Sequence, residues 1–199
     1  MPSEPTPANS TRKNREMPTD PSAIRTWANA ITVSRLLVSP LMFAIIPDDN
    51  VGSWAATGLW FVLSMSDLVD GYLARKEGTT RSGAFLDPLA DKVCVLGAMF
   101  VLVNRGYFSA WLVGIIAARE ISISLYRVFA GAKGVSVPAS RAAKWKTFAQ
   151  QSAVGFAVLP WTAANYTIAA KGSLVIAVVL TVYSGAQYWL VAIRARRAR

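Results

Sequence analysis

The sequence predicts an all-α, polytopic membrane protein with six spanning helices and a short N-terminal interfacial helix. Three observations carry that expectation. Of its 199 residues 53% are hydrophobic and only 16% charged, with mean hydropathy +0.36, which is too apolar for an ordinary water-soluble domain. Six apolar stretches recur at lengths near the ~20 residues that cross a bilayer. The basic residues gather in alternate gaps between those stretches, as expected where loops alternate across a membrane.

Residues 1–22 are rich in Pro, Ser and Thr and nearly devoid of apolar side chains, so they read as a disordered cytoplasmic tail ahead of a membrane domain over 23–199. They do not resemble a signal peptide. Residues 23–30 place Trp27 between Arg25 and Asn29, the composition of a short interfacial helix. The spans are expected near 31–47, 53–74, 85–104, 108–130, 146–164 and 171–193. Arg12, Lys13, Arg15 and Arg25, then Arg75, Lys76 and Arg81, then Lys133, Arg141, Lys144 and Lys146, and finally Arg194 to Arg199 fall on one side. The acidic turn at Asp48 and Asp49, Arg105 and Lys171 fall on the other. The positive-inside rule makes the first side cytoplasmic, with both termini there. Tyr107, Trp111, Trp161 and Tyr166 sit where an outer aromatic belt is expected.

The net charge of +10 does not call for nucleic acid, because the cations form no single polar face; anionic lipid or an anionic substrate accounts for them. Histidine is absent, which removes His-based triads and leaves carboxylate or Lys as general base. One cysteine, Cys94, allows no intrachain disulfide and no Cys-based zinc site.

Against this background stand Asp67, Asp70, Asp87 and Asp91. Each pair is spaced by three or four residues, which keeps it on one helix face. Carboxylates in an apolar chain need a cation, and a hard divalent ion, Mg²⁺ or Mn²⁺, takes oxygen ligands of this kind. A plain salt-bridged helix pair using Arg75, Lys76, Arg81 and Lys92 is the competing reading. It leaves unexplained the small residues Gly71, Ala74 and Gly83 between the acids, which make room for a ligand, and Arg75, which suits phosphate. Together these features suit a metal-bound diphosphate.

The run Asp67-x2-Asp70-Gly71-x2-Ala74-Arg75-x7-Gly83-x3-Asp87-x3-Asp91 resembles the defining motif of the CDP-alcohol phosphatidyltransferases. The family usually has eight residues between Arg75 and Gly83, where this chain has seven. The resemblance implies six membrane helices, a cytosol-facing site, a homodimer, and displacement of CMP by an acceptor hydroxyl. It implies Asp67, Asp70, Asp87 and Asp91 as metal ligands, with Asp91 also the general base. It implies a CDP pocket of Asp67, Asp70, Gly71, Ala74, Arg75, Thr80 and Gly83.

Further segments, Leu86 to Lys92, Ala118 to Arg127, Lys144 to Thr147 and the early Asn29-x2-Thr32-x2-Arg35-x4-Pro40, are similar to the bacterial subgroup that makes phosphatidylglycerophosphate. That similarity implies CDP-diacylglycerol and sn-glycerol 3-phosphate as substrates, in a bacterial plasma membrane. Residue spacing agrees with a phosphate-bearing acceptor. Arg119 and Arg127, eight apart, share a face of the fourth span, Glu120 can hold Arg119, and Lys144 and Lys146 open the fifth. Lys144, Lys146 and Arg127 could instead snorkel to lipid headgroups. Alternatives are a different acceptor (phosphatidylglycerol or an inositol phosphate) and, in another class, an intramembrane ion transporter.

Overall fold

The computed structural model describes residues 27–49, 51–77, 81–132 and 141–197. They form α1 (Trp27–Ile45), α2 (Trp54–Glu77), α3 (Arg81–Asn104), α4 (Ala110–Ala132), α5 (Arg141–Val158), α6 (Pro160–Asn165) and α7 (Thr167–Arg197), with no strand among the described residues. The all-α expectation holds. Residues 1–22, 23–26 and 133–140 and Thr80 lie outside the described residues.

Five of the six apolar stretches each become one helix, and two boundaries differ from expectation. Trp27 to Ala30 are the first turn of α1 and not a separate interfacial helix. No Gly or Pro interrupts them, and Asn29, Thr32, Arg35 and Ser39 continue one buried side along the helix. The fifth stretch, 146–164, is divided into α5 and α6. Leu159 is extended (φ −73°, ψ 119°) and Pro160 opens α6; a residue before proline is driven out of the α region, and the ring carries no N–H to continue the ladder.

The carbonyl of Val158, left over where α5 stops, is taken up by the start of α2. Ser53 donates its backbone N–H at 2.9 Å and Thr57 its hydroxyl at 3.0 Å. Gly52 makes this approach possible. Its φ is +84°, and a Cβ there would stand 2.7 Å from the Val158 oxygen and 2.9 Å from Pro160. Gly52→Ala therefore meets both a disfavoured backbone and a backbone clash, and should destabilise the fold by roughly 2 kcal/mol or more. Thermal unfolding in detergent checks it, with a lowered Tm expected.

α1 packs on α2 and α3, α4 on α3 and α7, and α5 on α2, α3, α6 and α7. Each long helix sends a large side chain into the common core: Met42, Trp60, Met99, Ile116, Val154 and Leu174. Each also turns one outward, at Leu37, Phe61, Phe100, Phe129, Phe148 and Val179. Among the described residues, Thr167–Leu190 is the one helix long and apolar enough to cross a membrane by length and composition. The other long helices are either short of that length or diluted by polar and charged residues.

At one end of the bundle Arg105 pairs with Asp48 at 2.6 Å, and the Lys171 ammonium lies 5.9 Å from the centre of the Tyr107 ring. The residues expected on one side of the membrane thus share one end of the fold. Of the four aromatics expected as a belt, Trp111, Trp161 and Tyr166 are exposed, whereas Tyr107 is buried against the bundle.

Candidate active site

Toward the opposite end, α1, α2, α3 and α5 converge on a small pocket. Arg35, Ser64, Asp67, Asp91, Cys94 and Gln151 line it, backed by Trp60, Leu63 and Val95. α2 supplies Asp67, and α3, crossing back after the loop, supplies Asp91. Two of the four motif aspartates therefore face one space from separate helices. The Trp60 indole donates to the carbonyl of Gln151 at 3.1 Å and ties α2 to α5 behind the pocket.

Asp67 is held by Arg35, whose guanidinium donates to Oδ1 at 2.6 Å. Arg35 is only 3% exposed, so its charge is compensated inside the protein and not by water. The hydroxyl of Ser39, one turn on, donates to the Arg35 carbonyl at 2.8 Å. Asp70, Gly71, Ala74 and Arg75 are carried by α2, and Gly83 and Asp87 by α3. Their side chains lie outside the described residues.

Among the described residues no three potential ligands cluster as a metal site. The donors that do converge, two carboxylates in a pocket with Ser64 and Gln151, have the hard-oxygen chemistry that Mg²⁺ or Mn²⁺ requires. The pocket therefore fits a divalent cation.

Beside it is a second polar cluster, built from α4, α5 and α7. Glu120 is 6% exposed and accepts from two cations on the same oxygen, Oε1: Arg119 at 3.0 Å and the ammonium of Lys146. Arg119 also donates to Ser184 Oγ at 3.0 Å. Ser184 in turn donates to the Thr181 carbonyl at 3.2 Å, and Gln150 donates to the Thr181 hydroxyl at 3.3 Å. The expected Arg119–Glu120 pair is present. Lys146 is 5% exposed and ion-paired, so it does not snorkel. Lys92 and Lys146 lie within electrostatic reach of both Asp91 and Glu120, which joins this cluster to the acid pocket.

The four expected acceptor residues thus divide. Arg119 and Lys146 meet at Glu120, whereas Lys144 is exposed and Arg127 is exposed with its guanidinium 5.5 Å from the centre of the Tyr188 ring. Arg119 and Arg127 do share a face of α4, since both meet α7, at Ser184 and Tyr188. Tyr126 packs edge-on against Tyr188 and Trp189, as a packing residue would.

Sequence reasoning placed neither Arg35 nor Gln151 at the site. A signal existed for Arg35: Asn29, Thr32 and Arg35 recur every three residues in an apolar stretch, the mark of a buried polar stripe. Gln151 had none, since its place in the pocket depends on how α5 crosses α2.

Residues 25–183 match the family model for CDP-alcohol phosphatidyltransferase. The chain belongs to the CDP-alcohol phosphatidyltransferase family. It is 38% identical over 170 residues to a CDP-diacylglycerol–glycerol-3-phosphate 3-phosphatidyltransferase of Haemophilus influenzae, covering 81% of this chain and 90% of that protein. It is 34% identical over 178 residues to the Bacillus subtilis protein of the same name, covering 81% and 92%. A probable phosphatidylglycerophosphate synthase of Mycobacterium tuberculosis is 34% identical over 176 residues, covering 86% and 83%.

Proposed function

We propose that this chain transfers a phosphatidyl group from CDP-diacylglycerol to sn-glycerol 3-phosphate, giving phosphatidylglycerophosphate and CMP. The observation that carries the acceptor is the pair of cations, half-buried Arg119 and buried Lys146, gathered beside the pocket of Asp67 and Asp91. An acceptor with a phosphomonoester, such as sn-glycerol 3-phosphate, brings up to two charges for them to bind, where the phosphodiester of phosphatidylglycerol brings one. The names of the relatives point the same way.

In this reading Asp67, Asp70, Asp87 and Asp91 hold a divalent cation, Mg²⁺ or Mn²⁺. Bound there, the ion would polarise the phosphoryl oxygens and offset the charge of the diphosphate. Gly71, Ala74, Arg75, Thr80 and Gly83 form the cytidine diphosphate pocket. Arg119 and Lys146, with Arg127 and Lys144 nearer the surface, bind the acceptor phosphate and aim its free hydroxyl at the diphosphate. Asp91 takes the proton of that hydroxyl as its oxygen bonds to the lipid-bearing phosphorus. The bond from that phosphorus to the bridging oxygen breaks, and CMP leaves with the electron pair.

The outward apolar side chains on every long helix support a bilayer setting with six spans. Cation-rich segments near the site end support its facing the cytoplasm of a bacterial plasma membrane. The homodimer implied by the family resemblance belongs to the same reading.

Purified protein given CDP-diacylglycerol and separate acceptors tests it. CMP release is expected with sn-glycerol 3-phosphate, and chelation with EDTA should lower it at least about 100-fold, with recovery on adding Mg²⁺ or Mn²⁺. Release only with phosphatidylglycerol or an inositol phosphate would overturn the acceptor. Metal flux without CMP release would overturn the enzyme.

A further inference from the structure

We propose that Glu120 is the resident anion of the acceptor site: it occupies Arg119 and Lys146 until the acceptor phosphate arrives and takes its place. The inference rests on the reading of these two cations as the phosphate-binding pair. Glu120 is thereby a positioning residue, which prepares the site without taking part in the bond changes.

Buried cations must be compensated, and an uncompensated pair within reach of one another would repel. One carboxylate oxygen serves both cations, Oε1 of Glu120 meeting Arg119 at 3.0 Å and also the Lys146 ammonium. A phosphate offers three oxygens and up to two charges to the same donors. It can displace a single carboxylate oxygen, and Glu120 sits at the competing position by construction. The exchange also keeps the cations charged and ordered between turnovers.

Arg119 is anchored so that such an exchange leaves it in place. Its second terminal nitrogen is fixed to Ser184, and its stem lies on Gly185, where a Cβ would stand 3.3 Å from Cγ. Its Nε is buried and has no hydrogen-bond partner. The guanidinium is therefore held from α7 and shared with Glu120 through one nitrogen only. Releasing Glu120 does not release Arg119.

Kinetics and phosphate binding on Glu120→Gln, Glu120→Asp and Ser184→Ala test the exchange. Gln keeps the shape and removes the competing charge. Its KM for sn-glycerol 3-phosphate should fall about tenfold, and inorganic phosphate should inhibit at about tenfold lower concentration, with KM for CDP-diacylglycerol unchanged. Inorganic phosphate should also raise the Tm of Glu120→Gln more than that of the wild type, a readout independent of turnover. Glu120→Asp, which keeps the charge on a shorter stem, should fall between the two. It carries the test if the Gln variant does not fold. Ser184→Ala should raise KM for sn-glycerol 3-phosphate severalfold.

An unchanged or raised KM together with unchanged phosphate binding in both Glu120 variants would overturn the proposal, leaving Glu120 a structural brace. Wild-type protein that releases CMP only with a different acceptor would instead overturn the function on which it rests.

Discussion

Asp91→Asn should lower CMP release by about 10³-fold or more while leaving the fold intact. The amide keeps the shape of the carboxylate but can neither accept the acceptor proton nor ligate a hard cation with a full charge, and general-base catalysis alone is worth about 10²–10⁴. Asp91 faces the same pocket as Asp67, so in metal-free protein the substitution removes a repulsion between like charges. Tm without metal should be equal to or above that of the wild type. Added Mn²⁺ should then raise Tm of the wild type and not of the variant, because only a site that binds the ion is stabilised by it. Residual activity near that of the wild type would remove Asp91 from the chemistry. A collapse of Tm would make it a structural residue. The combination of lost activity with kept stability belongs to a site acid.

Much of this arrangement was legible from residue spacing. Carboxylates three and four apart in otherwise apolar segments call for convergence on a compensating charge, and Asp67 and Asp91 do meet at one pocket from two helices. The pairing of Arg119 with Glu120 was legible for the same reason, since adjacent opposite charges deep in an apolar stretch need each other. Long-range contacts were not. Whether Lys146 reaches headgroups or turns inward is decided by where Glu120 lies, 26 positions away along the chain, and helical periodicity carries no such information. Likewise the break at Leu159 was signalled by Pro160, but its stabilisation was not. The Val158 carbonyl is satisfied from α2 by Ser53 and Thr57, about a hundred residues earlier. Arg35 shows the reverse case. It is a lone charge in the first apolar stretch, with no partner evident from spacing until Asp67 is set beside it.

Arg35→Met should therefore damage stability and activity together, and a second substitution should separate the two. Removing the guanidinium leaves Asp67 with its charge and without this partner. Breaking a buried ion pair costs about 3–5 kcal/mol. The Asp67 side chain keeps 32% of its exposure, so water recovers part of that, and a loss of roughly 2–3 kcal/mol is the reasonable expectation. Activity should fall about 10–100-fold, because Asp67 is no longer aimed into the pocket. Adding Asp67→Asn to Arg35→Met removes the stranded charge. The double variant should regain most of the lost Tm, since two neutral side chains of similar volume are tolerated where a lone charge is not. It should regain none of the activity, because in the proposed function Asp67 is a ligand for the cation. Additive losses of Tm in the double variant would mean that Arg35 and Asp67 stabilise the fold independently. Recovery of activity would mean that Asp67 is dispensable to the reaction. Coupled stability with uncoupled activity is what an arginine holding a metal ligand in place requires.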